Sequence, residues 1–239
     1  MSEDRSILDR PAAAPDEVIA YGNHPDQVID LWHTGERAGP VVVLLHGGFW
    51  RPQWDRMHLR PMAGALRDAG WPVAVPEYRR TPGKPDELVG DVRAGLETLL
   101  ESRYDGQALV AGHSAGGHLA LLAASWGLPA GVLALAPVAD LVLAERLDLD
   151  EGAVPDFLGV AAEARPDLDP VRLPAPPVPV TVLHGTADDR VPLEVATSYA
   201  DGRPEVRMVT APGVDHFAVI DPASAAWPLV IDELRRLAE

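Results

Sequence analysis

The sequence predicts an α/β fold: one largely parallel sheet covered by helices on both faces. Three observations lead there. Residues 41–46, Val-Val-Val-Leu-Leu-His, form a continuous β-branched and apolar run, the mark of a strand buried on both faces. Stretches with apolar residues at helical spacing follow such runs, as at 57–69 and 86–102. Strand and helix patterns then alternate along most of the chain, as crossovers between parallel strands require. At 239 residues, such a chain is expected to form one domain over 1–239.

Taken in order, residues 1–20 read as a loosely held N-terminal arm. The alternating segment 27–32 reads as a strand, followed by the buried strand 41–46. A helix is expected over 57–69, closed by Gly70. Residues 71–76 read as another buried strand and 86–102 as a helix. A strand ending at Ser114 leads into an apolar helix, and 132–138 is the next strand. Residues 141–177 break the rhythm. There Asp148, Asp150, Glu151, Asp156, Asp167 and Asp169 mix with prolines among apolar turns, which predicts a small lid insertion. Alternation resumes with a strand at 178–183, a helix at 193–200, a strand at 206–210 and a closing helix at 225–237.

Composition narrows the function. The chain has no cysteine, which excludes disulfides, thiolate metal sites and cysteine nucleophiles. A formal net charge of −16 argues against a nucleic-acid partner, because phosphate binding draws on basic surface. The charged start Met1-Ser2-Glu3-Asp4-Arg5 leads into no apolar stretch, and the run at 131–144 is broken by Asp140 and too short for a bilayer. The expectation is a cytoplasmic protein acting on a small molecule, without membrane association. A homodimer is left open.

The most informative stretch is Gly112-His113-Ser114-Ala115-Gly116, a G-x-S-x-G pattern between an apolar run and an apolar helix. A serine hydroxyl attacks a carbonyl only if it stands clear of the backbone on a sharp strand-to-helix turn. That turn folds the chain back on itself, so the positions two before and two after the serine must lack side chains. Gly112 and Gly116 meet that demand, and Ser114 is the candidate nucleophile.

A serine also needs a base, and the base an acid that holds one tautomer. In open parallel sheets these groups gather beyond the carboxyl ends of strands. His216, in Gly213-Val214-Asp215-His216-Phe217, follows the last strand and is the candidate base. Asp188 and Asp189 follow the strand before it, and adjacent side chains diverge, so only one can serve. Asp188 is favoured, because Val191-Pro192 starts the next helix and Arg190 can pair Asp189 on the surface. Asp140 is a lesser candidate, while Asp215 and Asp221 lie too near His216 in sequence and are expected to be solvated.

Developing negative charge requires backbone N–H donors. One should come from Ala115, the others from Gly48 and Phe49 in the loop His46-Gly47-Gly48-Phe49-Trp50. Trp50 and Trp54 fit either a pocket wall or the core. His46, His113, His118 and His184 flank these turns, but no carboxylate cluster shares their spacing, so structural roles are favoured and neither metal nor cofactor is expected.

These residues together resemble the α/β-hydrolase superfamily from about Val41 to the end, in its chain order of serine, acid and histidine. The loop at 46–50, the segment 112–118 and Asp215-His216-Phe217 are also similar to kynurenine formamidases (arylformamidases). That resemblance implies hydrolysis of N-formyl-kynurenine to kynurenine and formate. The alternatives are a general short-chain carboxylesterase and a serine peptidase, the latter usually carrying a further large domain. A non-catalytic relative would be expected to lose Ser114, His216 or the acid, and all are present.

Overall fold

In a computed structural model, residues 3–35, 39–102, 104 and 107–239 are described. Eight strands form one sheet: β1 (Glu17–Ala20), β2 (Val28–Trp32), β3 (Val41–Leu45), β4 (Val73–Pro76), β5 (Ala108–His113), β6 (Gly131–Leu135), β7 (Val180–Gly185) and β8 (Val206–Ala211). Their order is β1-β2-β4-β3-β5-β6-β7-β8. The pairs β1–β2 and β2–β4 are antiparallel, and every pair from β4 to β8 is parallel. The helices are α1 (Arg60–Asp68), α2 (Pro85–Ser102), α3 (Ala115–Trp126), α4 (Leu141–Arg146), α5 (Ala153–Leu158), α6 (Leu193–Ala200) and α7 (Trp227–Leu237). Among the described residues, no helix is long and apolar enough to cross a membrane.

The strand pleat divides the core in two. Val41, Val43 and Leu45 of β3 join one cluster, and Val42 and Leu44 the other, as a side-chain period of two demands. On the first face α2 buries Leu88, Val92, Leu96 and Leu99, one stripe of an amphipathic helix. On the second face α1 contributes Met62, Ala63 and Leu66, and α7 contributes Val230, Ile231, Leu234 and Leu237. Truncating any of these leucines to alanine is the kind of change that costs about 2–5 kcal/mol. Helix α3 is buried throughout its first ten residues, because α2 and the 141–177 segment cover the sides that the sheet does not. One anchor of that cover is the His118 ring, whose Nε2 lies 2.8 Å from the Leu168 carbonyl oxygen.

The N-terminal arm is not loose. A 3-10 turn at Ser6–Asp9 buries Ile7 in the second core cluster, and β1 forms inside the stretch expected to be irregular. Arg10 pairs with Asp221 (Nη2 to Oδ2, 2.7 Å), and the Asp4 amide donates to Asp215 Oδ2 at 3.2 Å. Every one of these tethers reaches a residue about 200 positions away, so nothing local in the sequence announces them. Asp215 and Asp221 are accordingly tied to the arm rather than free in solvent, although both remain partly exposed. The former also accepts from the Phe217 and Ala218 amides, at 3.1 and 2.9 Å.

The segment 141–177 contains α4, α5 and three 3-10 turns, and Val154, Phe157, Leu158 and Leu168 pack into the first core cluster. Asp169 is buried within it and accepts from the Leu141 amide (Oδ1, 3.0 Å), while its Oδ2 finds no partner. Burial, with the Asp140 charge adding to it, pushes its carboxyl up to about 6. A carboxyl raised above its unfolded value near 4 favours the fold below pH 4, and that contribution is lost as pH rises through 6. Asp169→Asn keeps the acceptor without the buried charge. It is expected to stabilise the protein by on the order of 1–3 kcal/mol at pH 7.5 and by little at pH 4, measured by urea unfolding at both values.

Candidate active site

The turn after β5 carries Ser114 at φ 56°, ψ −117°, a conformation that strains any residue but glycine. Two close approaches enforce it. A Cβ at Gly112 would lie 2.0 Å from the Gly116 carbonyl oxygen, and one at Gly116 would lie 2.1 Å from that of Leu45. The Ser114 carbonyl is occupied by the amides of His118 and Val138 (3.1 and 3.2 Å), which pins the turn at the head of α3. As the first residue of that helix, Ala115 has an N–H with no intrahelical acceptor.

His216 and Asp188 meet here. The Nδ1–H of His216 donates to Asp188 Oδ2 at 2.7 Å, leaving Nε2 as the ring nitrogen without a hydrogen-bond partner among the described residues. The Asp188 carboxylate is fixed from four directions. Its Oδ1 accepts the Arg190 and Val191 amides (2.9 and 2.8 Å), and its Oδ2 also lies 3.2 Å from His184 Nε2. Burial alone would raise its pKa, but the hydrogen bonds from His184 and His216 outweigh it and hold the carboxyl far below the ordinary range. His113, beneath His216, contacts the His216 carbonyl oxygen through Nε2 at 2.9 Å. Burial, reinforced by the neighbouring His216, keeps His113 well below the usual histidine range and therefore neutral.

The remaining acids lie elsewhere. Asp189 is exposed, and Arg190 does not pair with it: Arg190 Nε donates to Glu3 Oε2 at 2.8 Å. The tethered arm brings Glu3 within reach, which the sequence offered no way to see. Asp140 caps α4 through the Leu143 amide (2.8 Å) and accepts the Ser198 hydroxyl at 2.5 Å.

The loop after β3 runs beside Ser114. A Cβ at Gly47 would stand 3.0 Å from Ser114 Cβ. Gly48, Phe49 and Trp50 follow with φ of 108°, 49° and 56°, three successive left-handed residues. A side chain at Gly48 would also collide with Trp54, its Cβ falling 2.4 Å from that of the tryptophan. Among the described residues, the N–H groups of Gly48, Phe49 and Ala115 donate to no protein acceptor. The strained loop is held from behind: His46 contacts the Gly47 carbonyl oxygen through Nδ1 (2.9 Å) and Glu77 Oε1 through Nε2 (3.0 Å), and the Tyr78 hydroxyl donates to the His46 carbonyl at 2.6 Å.

Ser114, His216, Gly48, Phe49 and Trp54 line one cavity of about 220 Å³. Trp50 does not. Its ring stacks on Phe157 of α5 (centroids 4.5 Å apart, planes at 12°) and meets His118 edge-on, so it is a core aromatic that seats the 141–177 segment. The reading of Trp50 as a pocket wall is corrected on that geometry. Other lining residues include Arg5, Leu8, His58 and Phe217. Phe217 adjoins the candidate base and could have been found by that position. Arg5 and Leu8 belong to the arm and carried no sequence signal. His58 is pushed down to about 3 by burial and the neighbouring His46, so it stays uncharged beside the cavity. Among the described residues, no group of three or more His, Asp or Glu side chains is arranged to hold a metal ion.

Comparison with known proteins agrees with this architecture. A family model described as BD-FAE matches residues 29–128. The structure of esterase B from Lactobacillus rhamnosis superposes with a TM-score of 0.76 at 21% identity, covering 95% of this chain and 87% of that one. The chain has the α/β-hydrolase fold. Among curated proteins, the chain is 25% identical to Esterase LipC of Mycobacterium tuberculosis over 91% of its own length, and 28% identical to the kynurenine formamidase of Salmo salar over 56%. It spans 65% and 51% of the lengths of those two relatives.

Proposed function

We propose that this chain is an α/β-hydrolase acting as a serine hydrolase of small-acyl esters or amides. The observation that carries the reading is the His216–Asp188 pair opening on the cavity that Ser114 lines from its strained turn. In the reaction, His216 Nε2 takes the Ser114 proton as Oγ attacks the acyl carbonyl, and Asp188 stabilises the imidazolium. The unsatisfied N–H groups of Gly48, Phe49 and Ala115 receive the oxyanion. Collapse returns the proton to the departing alkoxide or amine, and water then releases the acyl group as its acid by the same steps.

The finer reading is an arylformamidase, with N-formyl-kynurenine cleaved to kynurenine and formate. Two features support it. The cavity of about 220 Å³ is smaller than the roughly 300–1,000 Å³ of ordinary ligand pockets, which favours a compact acyl group. Phe49 and Trp54 supply apolar walls, and an aryl leaving group stacked on such a ring adds about 1 kcal/mol. The similarity to the Salmo salar formamidase points the same way, whereas the relative named an esterase supports the short-chain carboxylesterase reading.

The test is covalent labelling by a fluorophosphonate, then kcat/KM for N-formyl-kynurenine beside p-nitrophenyl esters of increasing chain length. Formyl-kynurenine is expected to lead, with the esters falling away beyond butyrate. Ester turnover without formamide cleavage would leave the carboxylesterase, and a preference for octanoate would overturn the compact site. Absence of labelling would end the serine-hydrolase reading.

A further inference from the structure

The N-terminal turn places a cation at this cavity that the proposed chemistry does not use. The Arg5 and Arg190 guanidinium carbons each stand 5.6 Å from the centroid of the Phe217 ring, next in sequence to His216. Both arginines line the cavity with Ser114 and His216. The two differ in what balances them. Arg190 is neutralised by Glu3, and Asp150, the carboxylate lining the same cavity, is neutralised by Arg51 (Nε to Oδ2, 2.7 Å). Arg5 has no carboxylate partner among the described residues. Its neighbour Asp4 is engaged as an acceptor for the Ser6 amide at 2.9 Å.

An unpaired arginine at this place is unexpected in a chain whose net charge is −16 and whose acids outnumber its Lys and Arg by 36 to 20. Acids were plentiful enough to balance it. Asp148 and Asp189 line a cleft that adjoins this cavity through Phe49, Asp150 and Arg190, but Arg5 does not line that cleft. Stacking on an aromatic ring occupies only the face of a guanidinium. Its N–H groups lie in the plane, free to grip a carboxylate with two parallel hydrogen bonds.

We propose that Arg5, carried into the site by the tethered N-terminal turn, is a specificity-determining residue that selects substrates bearing a carboxylate on the leaving group. This rests on the serine-hydrolase reading for its chemistry, though not for the binding of the anion. Arg5 touches no reacting atom. It orients the leaving group while Leu8, on the same turn, closes the cavity beside it.

The experiment compares 4-acetoxybenzoate with its neutral methyl ester, the acetyl group being the one cleaved, in the full chain and in Arg5→Gln and Arg5→Lys. The ratio of kcat/KM, acid over neutral, is expected to be about tenfold in the parent, as a charge-assisted hydrogen bond supplies. It should collapse in Arg5→Gln and recover in part in Arg5→Lys. A second arm needs no turnover: calorimetric binding of benzoate against benzamide to the same three proteins should show the same loss. A ratio near one in the parent, or one unchanged in Arg5→Gln, overturns the proposal. If neither ester is cleaved, fluorophosphonate labelling decides the hydrolase reading and the binding arm alone decides the anion site. There, loss of the benzoate preference in Arg5→Gln upholds the anion site, and an unchanged preference rejects it.

Discussion

Ser114→Ala is expected to lower kcat by on the order of 10⁴-fold or more on whichever acyl substrate the parent cleaves, and to abolish fluorophosphonate labelling. The change removes one buried oxygen and leaves the turn intact, because the strain at φ 56° is imposed by the Gly112 and Gly116 approaches and by the two amides on the Ser114 carbonyl. Thermal unfolding should therefore stay close to the parent. Kinetics on a preparation with parental Tm separate the loss of a nucleophile from the loss of a fold. Near-normal turnover in such a preparation would end the serine-hydrolase reading.

Asp188→Asn should be almost as damaging, at about 10⁴-fold in kcat. An amide at this position can turn its NH₂ toward His216 Nδ1, which then becomes the acceptor. Nε2 would carry the proton and could no longer take one from Ser114. Asp189→Asn, one residue along but exposed, should remain within about tenfold of the parent, since a surface carboxylate contributes little. Asp188 also gathers two backbone amides and two imidazoles, so its variant will lose stability as well as rate. Kinetics are best measured well below its Tm. A reversed pattern would assign the acid to Asp189, and two mild effects would return attention to Asp140.

Much of this architecture is legible in the sequence, because its causes are local. A strand buried on both faces must be continuously apolar, so β3, β5 and β7 stand out; a helix packed on one side must repeat its leucines, so α2 does. The turn at Ser114 is written in two glycines, because backbone approaching backbone at about 2 Å leaves no room for a Cβ. Two arguments favour Asp188 over Asp189 in the sequence, the helix start at Val191-Pro192 and an Arg190–Asp189 pair, and the second fails because Arg190 meets Glu3.

What failed has one physical cause. The arm at 1–20 looked loose because its partners, Asp215, Asp221 and Arg190, lie about 200 residues downstream, and an unpaired charge in the sequence says nothing about which acid will meet it. Trp50 and Trp54 are four residues apart and chemically alike. Only in the folded chain does one ring stack on Phe157 while the other lines the cavity. The chain by itself determined the α/β layering, the sharp serine turn and the order of serine, acid and histidine, since each follows from spacing and residue type along a few positions. The tertiary structure decided which aromatic lines the cavity, which carboxylate Arg190 meets and that Arg5 lines the same cavity as Ser114, because those outcomes depend on surfaces assembled from both ends of the chain.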